Sequence, residues 1–156
     1  EAMQFFKKMG AMFASIVALI ICAEFFAAGL KATGVVALLI QSANGLGLGM
    51  GGMTTVLTVI VGAVTFLTGS GVGAFSSFAA LAPDVAASFG GDPAAIVSPM
   101  QIASGIFRAM SPVAGVVIAV AGAVGISPMA LVRRTTVPMI VAFVVTMIAN
   151  WLFFIV

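Results

Sequence analysis

Thr65-Phe66-Leu67-Thr68-Gly69-Ser70-Gly71-Val72-Gly73-Ala74-Phe75 sits inside an apolar region that would otherwise read as one membrane span. Thr, Ser and Gly gather where a spanning helix gives them no reason to be. The backbone must leave the helix there. Open backbone in hydrocarbon costs several kcal/mol per unsatisfied group unless it lines a cavity or is buried in protein. A second interruption, Arg108-Ala109-Met110-Ser111-Pro112, again lies between two short apolar arms. Two interruptions of this kind in one apolar chain point to the binding site of a membrane carrier.

The composition agrees. The sequence is 63% hydrophobic and 6% charged, against about 25% charged in soluble domains, and mean hydropathy is +1.33. The class is an all-α integral membrane protein. A net charge of +2 is too small for a nucleic-acid partner. There is no His, and Cys22 stands alone in an apolar run, so metal clusters, disulfides and activated nucleophiles find no residues. An enzyme is excluded on the same grounds, and no cofactor is expected. The chain begins at Glu1 without the layout of a signal peptide, which reads as a piece of a longer protein.

Taken in order, Glu1–Met9 with Lys7 and Lys8 reads as a solvated lead-in. Residues 11–30 form a transmembrane helix of about the 20 residues a bilayer core requires. Glu24 in that span is either a functional acid or a cap that pairs with Lys31. Residues 41–52, rich in Gly, read as an interfacial connector, in which Gly47 and Gly51 have the spacing of close helix approach. Residues 53–88 have two arms, each too short to span, around a polar tip at Thr68–Ala74. This predicts a re-entrant hairpin that enters and leaves on one side. Asp92 and Pro93 suit the cap and first turn of a helix. Residues 94–126 read as a discontinuous transmembrane helix broken at Arg108–Pro112. Ser127–Thr135 reads as a connector carrying Arg133 and Arg134, and residues 137–156 as the last transmembrane helix, anchored by Trp151. Lys7 and Lys8 then share the cytoplasmic side with Arg133 and Arg134. Two full spans over 53–88 would leave that parity unchanged.

The chemistry of broken helices follows from their free ends. Amide groups at a half-helix N-terminus attract anions, and carbonyls at a C-terminus attract cations. Arg108 adds a fork that fits a carboxylate. The candidate substrate ligands are Thr68, Gly69, Ser70, Gly71, Arg108, Ser111 and Pro112. Thr68, Ser70 and Ser104 are candidates for a coupling cation. The plainer alternatives are a packing kink at the Gly/Ser tip and a structural cap on helix carbonyls for Arg108.

The runs LTGSGVGAFSSFAALAP (67–83), PMQIASGIFRAMSPVAGVVIA (99–119) and GISPMALVRRTTVP (125–138) resemble the C-terminal half of the anaerobic C4-dicarboxylate carrier family. The resemblance covers essentially the whole chain and is most specific over 65–138. It implies the ion-transporter superfamily, with this chain as the second of two inverted repeats. It also implies a small dicarboxylate substrate, a Na+ or H+ coupling ion, a missing N-terminal repeat, a homo-oligomer and lipid around it in the bacterial inner membrane. Thr68 to Gly71 would be the hairpin tip, where relatives often show Ser-Asn-Thr. Gly-Ser-Gly here implies recognition through backbone. Ser111 and Pro112 match the break of the discontinuous helix. Carriers of amino acids or other organic anions, and a non-transporting membrane subunit or channel, remain as other readings.

Overall fold

The computed structural model describes residues 2–155; in the first two helices and at the carboxyl end a subset of side chains, Glu24 and Lys31 among them, lies outside the described residues. The expectation about Glu24 and its pairing therefore falls outside them. The described chain is helical and holds no strand. In order it runs α1 (Ala2–Ala32), α2 (Val35–Gly45), α3 (Met50–Thr68), α4 (Gly71–Ala79), α5 (Ala82–Phe89), α6 (Ala94–Met110), α7 (Gly115–Val124) and α8 (Pro128–Asn150), closed by a π-helical turn, Trp151–Ile155.

Three stretches are long and apolar enough to cross a membrane: Met50–Thr68, Ala94–Val124 and Pro128–Phe153. The pair Gly71–Ala79 and Ala82–Phe89, bent by 46°, is a fourth if taken as one span. The chain is a multi-pass membrane protein. Exposed Val137, Ile140, Val141, Val144 and Val145 make α8 apolar on its outside, and only 6% of its apolar window is buried within the chain. Such a face suits lipid or a protein neighbour rather than water.

The interior is built around α6. Along α3, Gly51, Thr54, Thr58, Val61, Gly62 and Thr65 recur at helical spacing and are buried, while Val59 and Leu67 on the other side are exposed. That buried face lies on α6. Met53, Leu57, Val61, Ala74, Leu81, Val85, Ile96 and Met100 form one core joining α3, α4, α5 and α6. Gly62 lets Phe107 seat directly on α3, since a Cβ there would lie 2.7 Å from the ring. The same ring meets Phe143 of α8 edge to face at 5.2 Å.

A proline inside α6 explains how α8 is tied to it. Pro99 has no N–H, so the Ala95 carbonyl one turn earlier loses its helical donor. Asn150 supplies the replacement: its Nδ2 donates to that carbonyl at 3.1 Å, in a buried contact spanning 55 residues. Asn150→Ala should therefore cost about 1–3 kcal/mol, the penalty of a buried unpaired group. Adding Pro99→Ala should recover most of that loss, because alanine at that position would give the carbonyl an N–H again. Thermal unfolding of the single and double variants checks the pair; equal loss in both would show that the contact is incidental.

Several elements extend beyond their expected bounds. The lead-in is part of α1, with Lys7 and Lys8 exposed on its first turns. The connector at 41–52 shrinks to residues 46–49, because α2 continues to Gly45 and α3 starts at Met50. Gly47 is left-handed (φ 67°) in the turn and Gly51 lies in α3, so the two do not form a helix-contact pair. The tip break shortens to Gly69–Ser70, and α3, with 19 residues, spans about 28 Å by itself. The second arm bends at Ala80–Leu81 rather than running straight. Ser127–Thr135 is no connector: the Ser127 hydroxyl accepts the Ala130 N–H at 3.2 Å, Pro128 opens α8, and Arg133 and Arg134 ride on its exposed side. The start of α6 is one residue later than expected: Pro93 takes the N-cap position and Ala94 opens the helix, while Asp92 Oδ1 accepts the Ala94 N–H at 2.8 Å.

Candidate substrate site

Residues 50–91 fold back on themselves. A Cβ on Gly91 would collide with Sδ of Met50, so the end of the segment returns to its beginning. The apex is the Gly69–Ser70 break. Gly69 adopts the left-handed conformation (φ 71°, ψ 2°) and its N–H returns to the Thr65 carbonyl at 2.8 Å, ending α3. Ser70 is extended, and its hydroxyl accepts the Gly73 N–H at 3.2 Å, starting α4. Thr68 Oγ1 donates to the Val64 carbonyl at 2.7 Å and accepts the Ser70 N–H at 3.2 Å. The tip hydroxyls thus shape the turn first; Thr68 has given its proton to Val64, while the Ser70 O–H is still free to donate.

The second break follows from Pro112. It lacks an N–H and disfavours helix at the residue before it, and Ser111 is accordingly extended (φ −82°, ψ 120°). Helix α6 stops at Met110. The chain resumes as α7 at Gly115 with Ala114 as N-cap, and no side chain caps its first amides. Those amides remain at the break as donors.

The fold brings the two breaks together. A Cβ on Gly69 would lie 2.8 Å from both N and Cα of Ala114 and 2.9 Å from the Val113 carbonyl oxygen. One on Gly71 would lie 3.0 Å from the Ser104 carbonyl oxygen. Glycine at these two positions is what lets the tip rest on the broken helix backbone to backbone. Ser111 is fully buried at this junction, and its hydroxyl has no hydrogen-bond partner. Thr65, one turn before the tip, is likewise buried with its hydroxyl unpaired, as is Thr54 nearer the start of α3.

Not all the expected ligands share one space. Thr68 and Ser70 line a cavity of about 380 Å3 with Ser77, Cys22 and Phe26, between α1 and the folded-back segment. Arg108 lines a separate cavity of about 220 Å3 with Gly105, Ala109, Val116 and Val117, in the crook between α6 and α7. There its half-buried guanidinium has no acceptor among the described residues. Ser104 donates to the Gln101 carbonyl at 2.8 Å, a contact within its own helix. The cap on the end of α6 is not Arg108 but Thr135, whose hydroxyl donates to the Ala109 carbonyl at 3.2 Å from α8. Sequence reasoning missed Thr135, Thr65, Ser77 and Cys22. Of these, only Thr65 stood within the stretch already marked as polar.

The chain has counterparts among known sequences. The profile of the C4-dicarboxylate anaerobic carriers, DcuC, matches residues 1–154. The chain belongs to this family. It is 38% identical over 145 residues to the anaerobic C4-dicarboxylate transporters DcuC of Escherichia coli K12 and of Shigella flexneri, which covers 93% of this chain and 32% of each of theirs. A Haemophilus influenzae protein described only as an uncharacterized transporter is 34% identical over 139 residues, 89% of this chain and 49% of that one. The chain thus spans about a third of the length of the DcuC relatives. No solved structure matches it. The family and these relatives are transporters rather than enzymes.

Proposed function

We propose that the chain is the second inverted repeat of a secondary carrier for C4 dicarboxylates in the bacterial inner membrane, working by alternating access. The observation that carries this reading is the backbone contact of the Gly69–Gly71 tip with the break at Ser111–Ala114. Such a junction sets helix amides and helix carbonyls against each other, with the Arg108 guanidinium in a neighbouring cavity between α6 and α7, a set of groups that suits a small dianion. Arg108 and the α7 amides would take one carboxylate; Thr68 to Gly71, Ser111 and Pro112 would line the rest. Thr68, Ser70 and Ser104 would serve a Na+ or H+ coupling ion. The two cavities lie apart in this chain, and the missing N-terminal repeat would close them into one site. The apolar outside of α8 supplies a face for that repeat, for lipid or for a second subunit. Family membership favours dicarboxylates over amino acids and other organic anions.

Counterflow in proteoliposomes tests the function. Full-length carrier loaded with unlabelled fumarate should accelerate entry of labelled fumarate, whereas a non-transporting subunit would show no such trans-stimulation. This chain alone should give no uptake, because its tip and break need a facing partner.

The fold-back also supports a re-entrant hairpin, with Met50 and Gly91 on one side of the membrane and Gly69 at mid-depth. Cysteines placed at 50 and 90 in a Cys22→Ser background should label from the same side. Two full spans would also leave 50 and 90 on one side, so a cysteine at 70 decides between them: its labelling by an impermeant reagent from the side opposite 50 would mean that α3, long enough to cross, does cross.

A further inference from the structure

The Arg133-Arg134-Thr135-Thr136 motif at the start of α8 has no part in the site as described, yet one of its members reaches it. From the contacts of its hydroxyl we infer that Thr135 is a positioning residue for Arg108, holding the C-terminal turn of α6 at the angle that presents the guanidinium to substrate. The inference rests on the proposed role of Arg108 as carboxylate ligand.

A threonine in a helix ordinarily returns its hydroxyl to its own backbone, as Thr136 does at 2.8 Å to the Val132 carbonyl. Thr135 Oγ1 lies 3.1 Å from that same carbonyl and 3.2 Å from the Ala109 carbonyl of α6. It has a single proton to give. The Val132 oxygen has two lone pairs, and they are claimed by the Thr136 hydroxyl and by the amide four residues on. The Ala109 oxygen has no such claimants. Its helical donor would be the Val113 amide, which lies beyond Pro112 in the break, where the helix has ended. The Thr135 proton therefore belongs to Ala109.

Ala109 and Arg108 are adjacent in the last turn of α6 and line the same cavity. That turn is otherwise held on the break side by two short backbone bonds, Ser111 N–H to Arg108 O and Ala114 N–H to Ser111 O, both 3.2 Å. Without Thr135 the Ala109 carbonyl would have to find water or turn away, in either case rotating the peptide next to Arg108. Packing also joins α6 to α8 through Phe107 and Phe143, so the two helices stay together when the hydroxyl is removed. What changes is the direction of the turn.

The test uses the full-length carrier and four variants. Thr135→Val keeps the shape and loses the donor; Thr135→Ser keeps the donor; Thr135→Ala serves if the valine variant does not fold. Thr146→Val removes a hydroxyl that serves only α8, bonded to the Ala142 carbonyl at 2.8 Å. Amide hydrogen exchange over residues 108–117 should quicken about tenfold in Thr135→Val or Thr135→Ala and stay at wild type in Thr135→Ser and Thr146→Val. Fumarate affinity should fall about tenfold in Thr135→Val and Thr135→Ala and return to within twofold in Thr135→Ser. Unchanged exchange in Thr135→Val, or an equal effect from Thr146→Val, overturns the positioning role. Quickened exchange with unchanged affinity overturns the link to the site. Loss of affinity in Thr135→Ser as large as in Thr135→Val assigns the effect to the methyl group and also overturns it. Should Arg108→Gln leave affinity at wild type, the proposed substrate site fails on its own account, while the exchange measurement still judges Thr135.

Discussion

Alanine at Gly69 should destabilise the folded carrier by about 2–5 kcal/mol and remove substrate binding with it. Two causes add. The left-handed backbone at Gly69 costs an L-residue about 1–2 kcal/mol. The new Cβ would then press on Ala114 N and Cα at 2.8 Å, and displacing close-packed atoms costs typically about 1–3 kcal/mol. The obstacle is backbone, which cannot swing aside as the end of a side chain can. Gly122 makes a fair control: it lies in α7 with ordinary helical backbone, and nothing stands within 4 Å of its Cβ position. Gly122→Ala should change stability by less than about 1 kcal/mol, in the stabilising direction. Thermal unfolding of both variants in detergent decides the matter. A Gly69→Ala carrier as stable as Gly122→Ala would mean that the tip does not rest on the break.

Arg108→Gln should weaken dicarboxylate binding by about 10- to 100-fold while leaving the protein folded. A hydrogen bond to a charged group is worth about 1.5–3 kcal/mol, and that sets the range. Arg108→Lys keeps the charge and loses the two-pronged geometry, so its loss should be smaller, about fivefold to tenfold. The competing role, a cap on the end of α6, forecasts lower thermal stability with affinity kept within about twofold. The structure already gives that cap to Thr135 and leaves the guanidinium lining a cavity without an acceptor among the described residues. Binding measured on folded, full-length Arg108→Gln separates the roles, and an affinity within about twofold of wild type would sink the carboxylate role.

Both interruptions were legible in the sequence because their causes are local. Gly69 ends a helix by taking a conformation other residues resist, and Pro112 ends one by lacking an amide. Helix extents were less legible. Gln41 to Gly45 looks like loop by composition, yet helix propagates through it to a glycine end. Ser127-Pro128 carried an N-cap and first-turn signature that the charged arginines behind it obscured. Length was a weak guide at Met50–Thr68, which is short enough to suggest an arm and long enough to span. The contacts that organise the site were the least legible. Pro99 announces an orphan carbonyl at Ala95, but nothing nearby says that Asn150 will answer it from 55 residues away. Thr135 and Ala109 are likewise joined only by the packing of α8 on α6.

The closeness of Met50 and Gly91 has a consequence for how such a chain can vary. A segment whose two ends touch is a cassette: its base fixes the frame, and its apex is free to be rewritten. The base is dense with core residues that pack on α6, including Met53, Leu57, Val85 and Ala86, and tolerates little. At the apex, by contrast, Phe66, Leu67, Thr68 and Val72 are exposed and hold no core contact. A foreign tip grafted between Phe66 and Val72 would leave the frame undisturbed provided that Gly69 and Gly71, both seated on the broken helix, are retained. In such an architecture a handful of exposed residues at one turn can be exchanged while the surrounding helices keep their registry.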